Sequence, residues 1–483
     1  MKLRELLEDI YKGDIPSRFG EIDIKAIQCD SRLVGKGDIF VALKGTSRNG
    51  ANFISEAVAK GAVVIIQNSH GTQIDENQNV CTITVGDPRK TLLDISQRFY
   101  DYPSQKVKAI GITGTNGKTT VSYLIESIFK QAAKRCAVIG TVNYRIGEKS
   151  IPSINTTPGL LENQRFLADM VKNHSEYCIM EVSSHALDQG RVDGIDFKSA
   201  IFTNLTGDHM DYHRTMDNYF EAKSKLFVHL GPHATAVINR DDPFGDKLTK
   251  MTKAKILTYG LENKSDVTAR DIHLSLEGSQ FLLQFPAGKT MIRSPLIGRH
   301  NIYNILAASA ACFLEKITLE DIKEGIESLR CVPGRLEQII CNRGFKIFVD
   351  YAHTEDALKN VLMNLKDLGH SKIISVFGCG GDRDRTKRPK MGKVASQLAD
   401  FSILTDDNPR SEDPQAIVNE ILPGFERKNY EVILNREEAI KRAISIARRG
   451  DIVLVAGKGH EDYQVYKNKT IPFNDRQIIR NYL

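Results

Sequence analysis

The chain has 483 residues, 41% of them hydrophobic and 26% charged, which is too long for one hydrophobic core and too ordinary in composition for a disordered or fibrous protein. Sixty-six Lys and Arg against sixty Asp and Glu leave a net charge of +6, a weak bias that suits anionic small molecules; no basic run interleaved with aromatics suggests a nucleic-acid groove. No apolar run approaches the ~20 residues that span a bilayer, so no membrane insertion is expected.

Met1-Lys2-Leu3-Arg4-Glu5 places charges where a signal peptide needs its apolar stretch. The eight cysteines (29, 81, 136, 178, 312, 331, 341, 379) form no close pair for zinc or redox chemistry. Both features read as a cytoplasmic enzyme with reduced thiols.

Residues 1–105 mix short strands, such as Asp38–Leu43, with a helix at Ile54–Ala59, and Asp101-Tyr102-Pro103-Ser104-Gln105 reads as a linker. From Val107 short β-branched runs alternate with amphipathic helices, the pattern of a parallel sheet wrapped by helices. The expected strands are Val107–Ile112, Cys136–Ile139, Tyr177–Glu181, Ala200–Asn204 and Thr235–Ile238, followed by added hairpins between Lys255 and Ile297. Arg330-Cys331-Val332-Pro333-Gly334-Arg335 reads as a second linker and a hinge. Beyond it Lys346–Asp350, Lys372–Phe377, Phe401–Thr405 and Asp451–Ala456 again alternate with helices. The expected architecture is α/β in three domains: a small mixed α/β N-terminal domain (1–105), a phosphate-loop mononucleotide-binding central domain (106–330) and a Rossmann-like α/β C-terminal domain (331–483).

The strongest single signal is Gly111-Ile112-Thr113-Gly114-Thr115-Asn116-Gly117-Lys118-Thr119-Thr120, between an apolar strand and a helix. Glycines let backbone N–H groups close around phosphate, and the helix N-terminus adds partial positive charge. Lys118 can reach the β- and γ-phosphates and Thr119 can bind Mg²⁺. The spacing departs from G-x-x-x-x-G-K-[ST], because Ile112 stands where the first glycine belongs.

Glu181 ends an apolar strand, at the edge where open α/β sheets bind ligands, and is a magnesium candidate. In Thr203–His213, Asp208, His209, Asp211 and His213 could serve a metal, but their spacing fits no zinc motif, and capping or turn roles suit them equally. Lys223 falls inside the apolar stripe of a helix expected over Asp217–Leu230, with Tyr219, Phe220, Leu226 and Phe227, whereas Lys225 points elsewhere and is placed to pair with Glu221. An inward lysine loses hydration and its pKa falls, so its neutral amine can add CO₂ to become a carbamate and an oxygen ligand. A lysine whose stem covers apolar surface is the alternative.

These blocks, with Gly298-Arg299-His300-Asn301, Asn304, Pro333-Gly334-Arg335, Asp350-Tyr351-Ala352-His353 and Gly378-Cys379-Gly380-Gly381-Asp382-Arg383, run in order over nearly the whole chain and resemble the Mur ligase family. Asp407-Asn408-Pro409-Arg410 resembles the diaminopimelate signature of its tripeptide-forming members. The resemblance implies an ATP- and Mg²⁺-dependent ligase, a monomer, that joins meso-diaminopimelate to UDP-MurNAc-L-Ala-D-Glu through an acyl phosphate in peptidoglycan precursor synthesis. An L-lysine-adding or folylpolyglutamate-synthase-like ligase is the alternative; Asn408-Pro409-Arg410 and the N-terminal domain argue against both. A nucleotide-gated binding or motor protein is the rival from another class.

By matching position, the resemblance implies that Cys29, Ser31, Thr46, Ser47 and Arg48 contact the UDP end, although Asn49-Gly50-Ala51-Asn52 carries Asn where the family has Asp. Asn155, Thr156, Thr157, Ser183, Gln189 and Arg191 would hold the rest of the sugar-nucleotide dipeptide. Gly114 to Thr120, with Asn301, Asn304, Arg335 and Asp350, would seat ATP. Lys118, Glu181, His209 and Lys223 would be catalytic, and Thr119, Glu181, His209 and carbamylated Lys223 would hold magnesium. Arg388, Asp407, Asn408, Pro409, Arg410, Gly457 and Glu461 would receive diaminopimelate. Asp208, His209 and His353 are the candidate bases for its amine.

Overall fold

A computed structural model describes residues 1–45, 48–68, 79–369, 371–467 and 469–483. Thr46 and Ser47 therefore lie outside the described residues.

The first sheet has four parallel strands in chain order: Ile27–Gln28, Ile39–Val41, Val64–Gln67 and Cys81–Thr84. Asp38–Leu43 thus shortens to Ile39–Val41, while the helix Ile54–Ala59 forms as expected. The helix Pro88–Phe99 starts where the Asp87 carboxylate accepts the N–H groups of Arg89 and Lys90, with proline in its first turn. It ends before Asp101 and Tyr102, which turn the chain with φ of 58° and 48°.

The central sheet has eight strands in the order Lys255–Tyr259, Thr235–Asn239, Phe197–Phe202, Lys108–Thr113, Tyr177–Glu181, Cys136–Ile139, Asn143–Ile146, Lys149–Pro152. The first six are parallel and the last two add an antiparallel edge. One face packs on the helices Lys118–Gln131 and Arg299–Leu314, burying Ile110, Ile112, Leu124, Ile125 and Ile305 completely. Each such side chain contributes about 1.5–3 kcal/mol of transfer free energy.

Lys255–Tyr259 corrects the expectation of hairpins from Lys255 onward. It pairs in parallel beside Thr235–Asn239, and the buried Tyr259 hydroxyl donates to Phe202 O at 2.9 Å. The antiparallel meander is confined to Thr268–Ser275, Gly278–Phe285 and Gly288–Ser294.

The last large sheet runs Glu337–Ile339, Lys346–Asp350, Ile452–Ala456, Ile373–Phe377, Phe401–Leu404, Tyr430–Val432, parallel except for the first strand. The late strand Ile452–Ala456 inserts between two early ones. The loops after Asp350, Phe377, Leu404 and Ala456 therefore leave from one edge, the edge at which such sheets bind ligands.

The turn at Gly334 (φ 67°) is not a free linker. Gly334 N–H donates to Glu337 Oε2 at 2.9 Å, Tyr351 N–H donates to Gly334 O at 2.9 Å, and an added Cβ would come within 2.3 Å of His460 N. The turn belongs to the C-terminal sheet, and the exposed stretch before it, Arg330–Cys331, is the looser one.

Candidate active site

The phosphate loop leaves the central strand Lys108–Thr113 and enters the helix Lys118–Gln131. Gly114 has φ 149°, and a Cβ there would sit 1.9 Å from Thr203 Oγ1; Gly117 has φ 91° and would meet Asn304 Oδ1 at 2.4 Å. Only glycine fits either place. Lys118 Nζ folds back on the loop, donating to Gly114 O at 2.8 Å and Thr115 O at 2.9 Å. Burial and the Arg335 charge lower its pKa, against the pull of Glu181 and Asp208.

The strap Thr203–Thr206 props this loop. Asn204 Oδ1 accepts Asn116 N–H at 2.9 Å, Asn204 O accepts Thr115 N–H at 2.8 Å, and Thr203 Oγ1 donates to Asn116 O at 2.6 Å.

Glu181 is 1% exposed, and its carboxylate accepts from Thr119 Oγ1 (3.0 Å), Thr141 Oγ1 (2.8 Å) and Thr141 N–H (3.0 Å). Gly140 leaves it room, since a Cβ there would lie 2.3 Å from Glu181 Oε1. A carboxylate and a hydroxyl are the hard oxygen donors magnesium takes, with substrate phosphates and water supplying the rest. Thr119 and Glu181 therefore fit the ion. Among the described residues no three His, Cys, Asp or Glu side chains gather closely enough to hold a metal by themselves.

His209 lies 3.6 Å from Asp208 and stacks edge-on against His185 (4.8 Å). Burial takes its pKa down to about 4 despite Asp208. Lys223 is 2% exposed on the helix Met216–Val228, its Nζ donating to Gly114 O at 2.9 Å. Burial, with Lys118 nearby, holds its pKa well below the usual lysine range. Its neighbour Lys225 pairs with Asp188 at 3.0 Å rather than with Glu221, because the short helix Ser184–Asp188 packs on this one and presents a carboxylate.

A cavity of about 520 Å³ opens beside the loop, lined by Gly117, Thr119 and Asn304 from the central unit and by Arg335, Asp350 and Asn360 beyond it. Arg335 Nη2 donates to Thr119 Oγ1 at 3.2 Å. Asp350 accepts the N–H groups of Leu336 (2.6 Å) and Ala352 (2.8 Å), fixing the turn that carries Arg335, and burial raises its pKa. Asn301 does not line the cavity. Its amide donates to Ile297 O, and its Oδ1 receives Asn304 Nδ2 at 3.0 Å, so it orients Asn304.

Asp356 adds a contact that the sequence does not signal. Its Oδ2 accepts from Asn116 Nδ2 (3.1 Å) and Thr206 Oγ1 (2.9 Å), tying the helix Glu355–Lys366 to the phosphate loop. In the sequence it is only an acid in the first turn of a helix capped by Thr354.

Four of the residues expected to hold the acceptor form one network. Thr157 Oγ1 donates to Glu181 O (2.8 Å) and accepts Ser183 N–H (3.0 Å); Arg191 reaches Thr157 O (3.2 Å) and Gln189 Oε1 (2.7 Å). Thr156 meets Thr141 Oγ1 at 3.1 Å, and Asn155 O accepts the Tyr144 hydroxyl. Of the more distant set, Cys29 and Arg48 are exposed, and Ser31 Oγ donates to Glu56 at 2.9 Å.

The loops at the edge of the last sheet bring the final group together. Asn408 Nδ2 donates to Glu461 Oε2 (3.0 Å), and buried Lys458 bridges Asn408 Oδ1 (3.1 Å) and Glu461 Oε2 (2.9 Å). Gly457 (φ 112°) makes room for Asp407, whose Oδ2 a Cβ would approach to 2.5 Å. Arg410, following Pro409, has φ 52° and donates from Nη1 to Gly381 O at 2.7 Å. Arg388, expected to meet the incoming amino acid, has no exposed side-chain surface and is held between Glu412 (2.9 Å) and Glu420 (2.8 Å). Two carboxylates already match its charge, so in this conformation it braces the loop that Glu412 follows.

Three family models match in chain order: Mur ligase family, catalytic domain, over residues 23–100; Mur ligase middle domain over 112–312; and Mur ligase, glutamate ligase domain over 334–459. The UDP-N-acetylmuramoyl-L-alanyl-D-glutamate–2,6-diaminopimelate ligase of Clostridium botulinum is 44% identical over 463 residues, 95% of each chain. The Bacillus velezensis protein of the same name is 44% identical over 484 residues, covering 99% of this chain and 98% of its own. A solved structure of a ligase so named superposes with a TM-score of 0.70 at 35% identity, over 100% of this chain and 98% of that one.

Proposed function

This chain belongs to the Mur ligase family, and we propose that it adds meso-diaminopimelate to UDP-MurNAc-L-Ala-D-Glu at the expense of ATP. The observation that carries the reading is end-to-end similarity to ligases of that name in a chain whose phosphate loop and Asp407–Arg410 loop both face ligand-binding sheet edges. We assign residues 1–105 to the UDP end of the acceptor, 106–330 to ATP and 331–483 to the amino acid. A reaction fed by ATP and a nucleotide sugar belongs in the cytoplasm.

A carboxylate repels nucleophiles and has no adequate leaving group. Transfer of the γ-phosphoryl group of ATP to a carboxylate of the D-Glu residue makes an acyl phosphate that an amine can attack. Lys118 exchanges its two loop carbonyls for phosphate oxygens, and Arg335, already at Thr119, adds a second cation where charge develops. Magnesium, when bound, withdraws charge from the phosphoryl oxygens as a Lewis acid. Thr119 and Glu181 would hold it, with His209 and a carbamate on Lys223 as further ligands. The suppressed charge of Lys223 supports that carbamate, since only a neutral amine adds CO₂. Closing the C-terminal unit on the loop keeps water from the acyl phosphate.

Diaminopimelate differs from lysine by one distal carboxylate. Arg410 offers a planar, bidentate partner for it, and Glu461 a partner for the distal ammonium. With lysine bound, Arg410 would keep only its carbonyl contacts. Phosphate release should require acceptor and amino acid together, with diaminopimelate preferred over L-lysine by about 10⁴-fold. Equal use of L-lysine, or an Arg410→Ala protein with unchanged preference, would overturn this assignment.

A further inference from the structure

The phosphate, acceptor and amino-acid ends of the site converge on His460. Its ring lies against Tyr351, with centroids 5.0 Å apart, and the same Tyr351 ring carries the Arg335 guanidinium at 5.0 Å. The Thr141 carbonyl lies beside the imidazole. Thr141 is also the residue that holds Glu181 through its N–H and hydroxyl and touches Thr156 at 3.1 Å. Glu461, next in the chain, is joined to Asn408. The backbone here is fixed: Gly334 packs on His460 N, and His460 O accepts Arg476 Nη2 at 3.3 Å. His460 Nδ1 is buried and has no hydrogen-bond partner among the described residues.

Resting on the reading of the chain as an amide-forming ligase, we propose that His460 is the catalytic base that takes a proton from the incoming amine. The α-ammonium of diaminopimelate gives one proton to His460 Nδ1. The freed lone pair forms the C–N bond at the acyl carbon. The C–O bond to phosphate then breaks, and the departing phosphate takes the bonding pair and the second amine proton. His460 returns its proton to solvent.

The other candidates face other partners: His353 Nδ1 donates to Tyr351 O at 2.8 Å, and His209 lies against Asp208 at 3.6 Å. Burial, then Arg335 and Arg476, hold the His460 pKa down to about 4, against the Thr141 carbonyl, with His353 lowering it further. The ring is therefore neutral and able to accept in the free protein. The acyl phosphate dianion would offset the two guanidinium groups and raise its basicity when a base is needed.

The test compares full-length wild type with His460→Ala and the more conservative His460→Gln. Hydroxylamine, already neutral near pH 7, traps the acyl phosphate formed from ATP and UDP-MurNAc-L-Ala-D-Glu as a hydroxamate. Hydroxamate formation should stay within about twofold of wild type, while ligation of diaminopimelate falls at least about 100-fold at neutral pH. That deficit should shrink roughly tenfold per pH unit as the amine loses its proton unaided. A pH-independent deficit, an equal loss of hydroxamate, or near-normal ligation in the Gln protein would each overturn the proposal. Wild-type protein that forms neither hydroxamate nor amide would overturn the ligase reading itself.

Discussion

Lys223 keeps 2% of its surface in solvent, and among the described residues no carboxylate pairs with it; its amine meets one carbonyl and lies 4.5 Å from the Tyr219 ring. A cation in that place is costly, which is why the amine is held toward its neutral form. Lys223→Ala should reduce ligation to a trace, with acetate or another small carboxylate restoring part of it. Turnover above about a tenth of wild type without added carboxylate would remove the need for a modified lysine.

Asp406 shows the opposite strain. It is 7% exposed, accepts the Tyr466 hydroxyl at 2.9 Å, and burial raises its pKa from 3.8 to about 6. The folded chain then binds more protons than the unfolded one between those values. The protonated form is the stable one below pH 3.8, and stability falls as pH rises to about 6, by up to about 3 kcal/mol. Asp406→Asn, which keeps an acceptor for Tyr466, should raise the melting temperature at pH 8 and change it little at pH 4. The reverse ordering would contradict the shift.

At the scale of elements, the phosphate loop depends on a strap far away in the chain. Asn204→Ala removes the acceptor for Asn116 N–H and should weaken ATP binding by about 1–3 kcal/mol in calorimetry while leaving the sheet intact. Gly117→Ala should abolish nucleotide binding, since its Cβ would enter Asn304. Unchanged affinity in both would mean the loop does not need this shape.

The loop, its strand and its helix were legible in the sequence because glycine spacing and apolar periodicity are local signals. So was the inward face of Lys223, since helical period alone places it with Tyr219 and Leu226. What was not legible depends on partners distant in sequence. Lys225 finds Asp188 rather than Glu221 because another helix packs there, and Lys255–Tyr259 becomes a sheet strand because Thr235–Asn239 offers an open edge. The stacking of His460 on Tyr351 joins two loops that only the strand order of the last sheet makes neighbours.

Across the whole molecule, Arg335 and Asp356 are the contacts through which the C-terminal unit reaches the phosphate loop, one by a cation at Thr119 and the other by a carboxylate at Asn116 and Thr206. Asp356→Ala should raise the KM for ATP several-fold, roughly the 1–2 kcal/mol of two hydrogen bonds, with a melting temperature near that of wild type. A large loss of thermal stability with unchanged KM would make Asp356 a structural brace instead. Because Gly334 is bonded into the last sheet, any movement of this unit should pivot at Arg330–Cys331.

The Arg436–Asp475 pair ties the helix Asp475–Asn481 to the floor of the amino-acid site. Both side chains are fully buried, joined at 2.8 Å, and Arg436 also donates to Ala456 O and Asp406 O, the floor beneath the amino-acid loop. The carboxylate that neutralises Arg436 comes from the helix Asp475–Asn481. Without it the guanidinium would stay buried and unpaired beneath the amino-acid loop, a state costing several kcal/mol. Asp475→Ala should therefore lower the melting temperature, and an unchanged one would mean that Arg436 had found another partner.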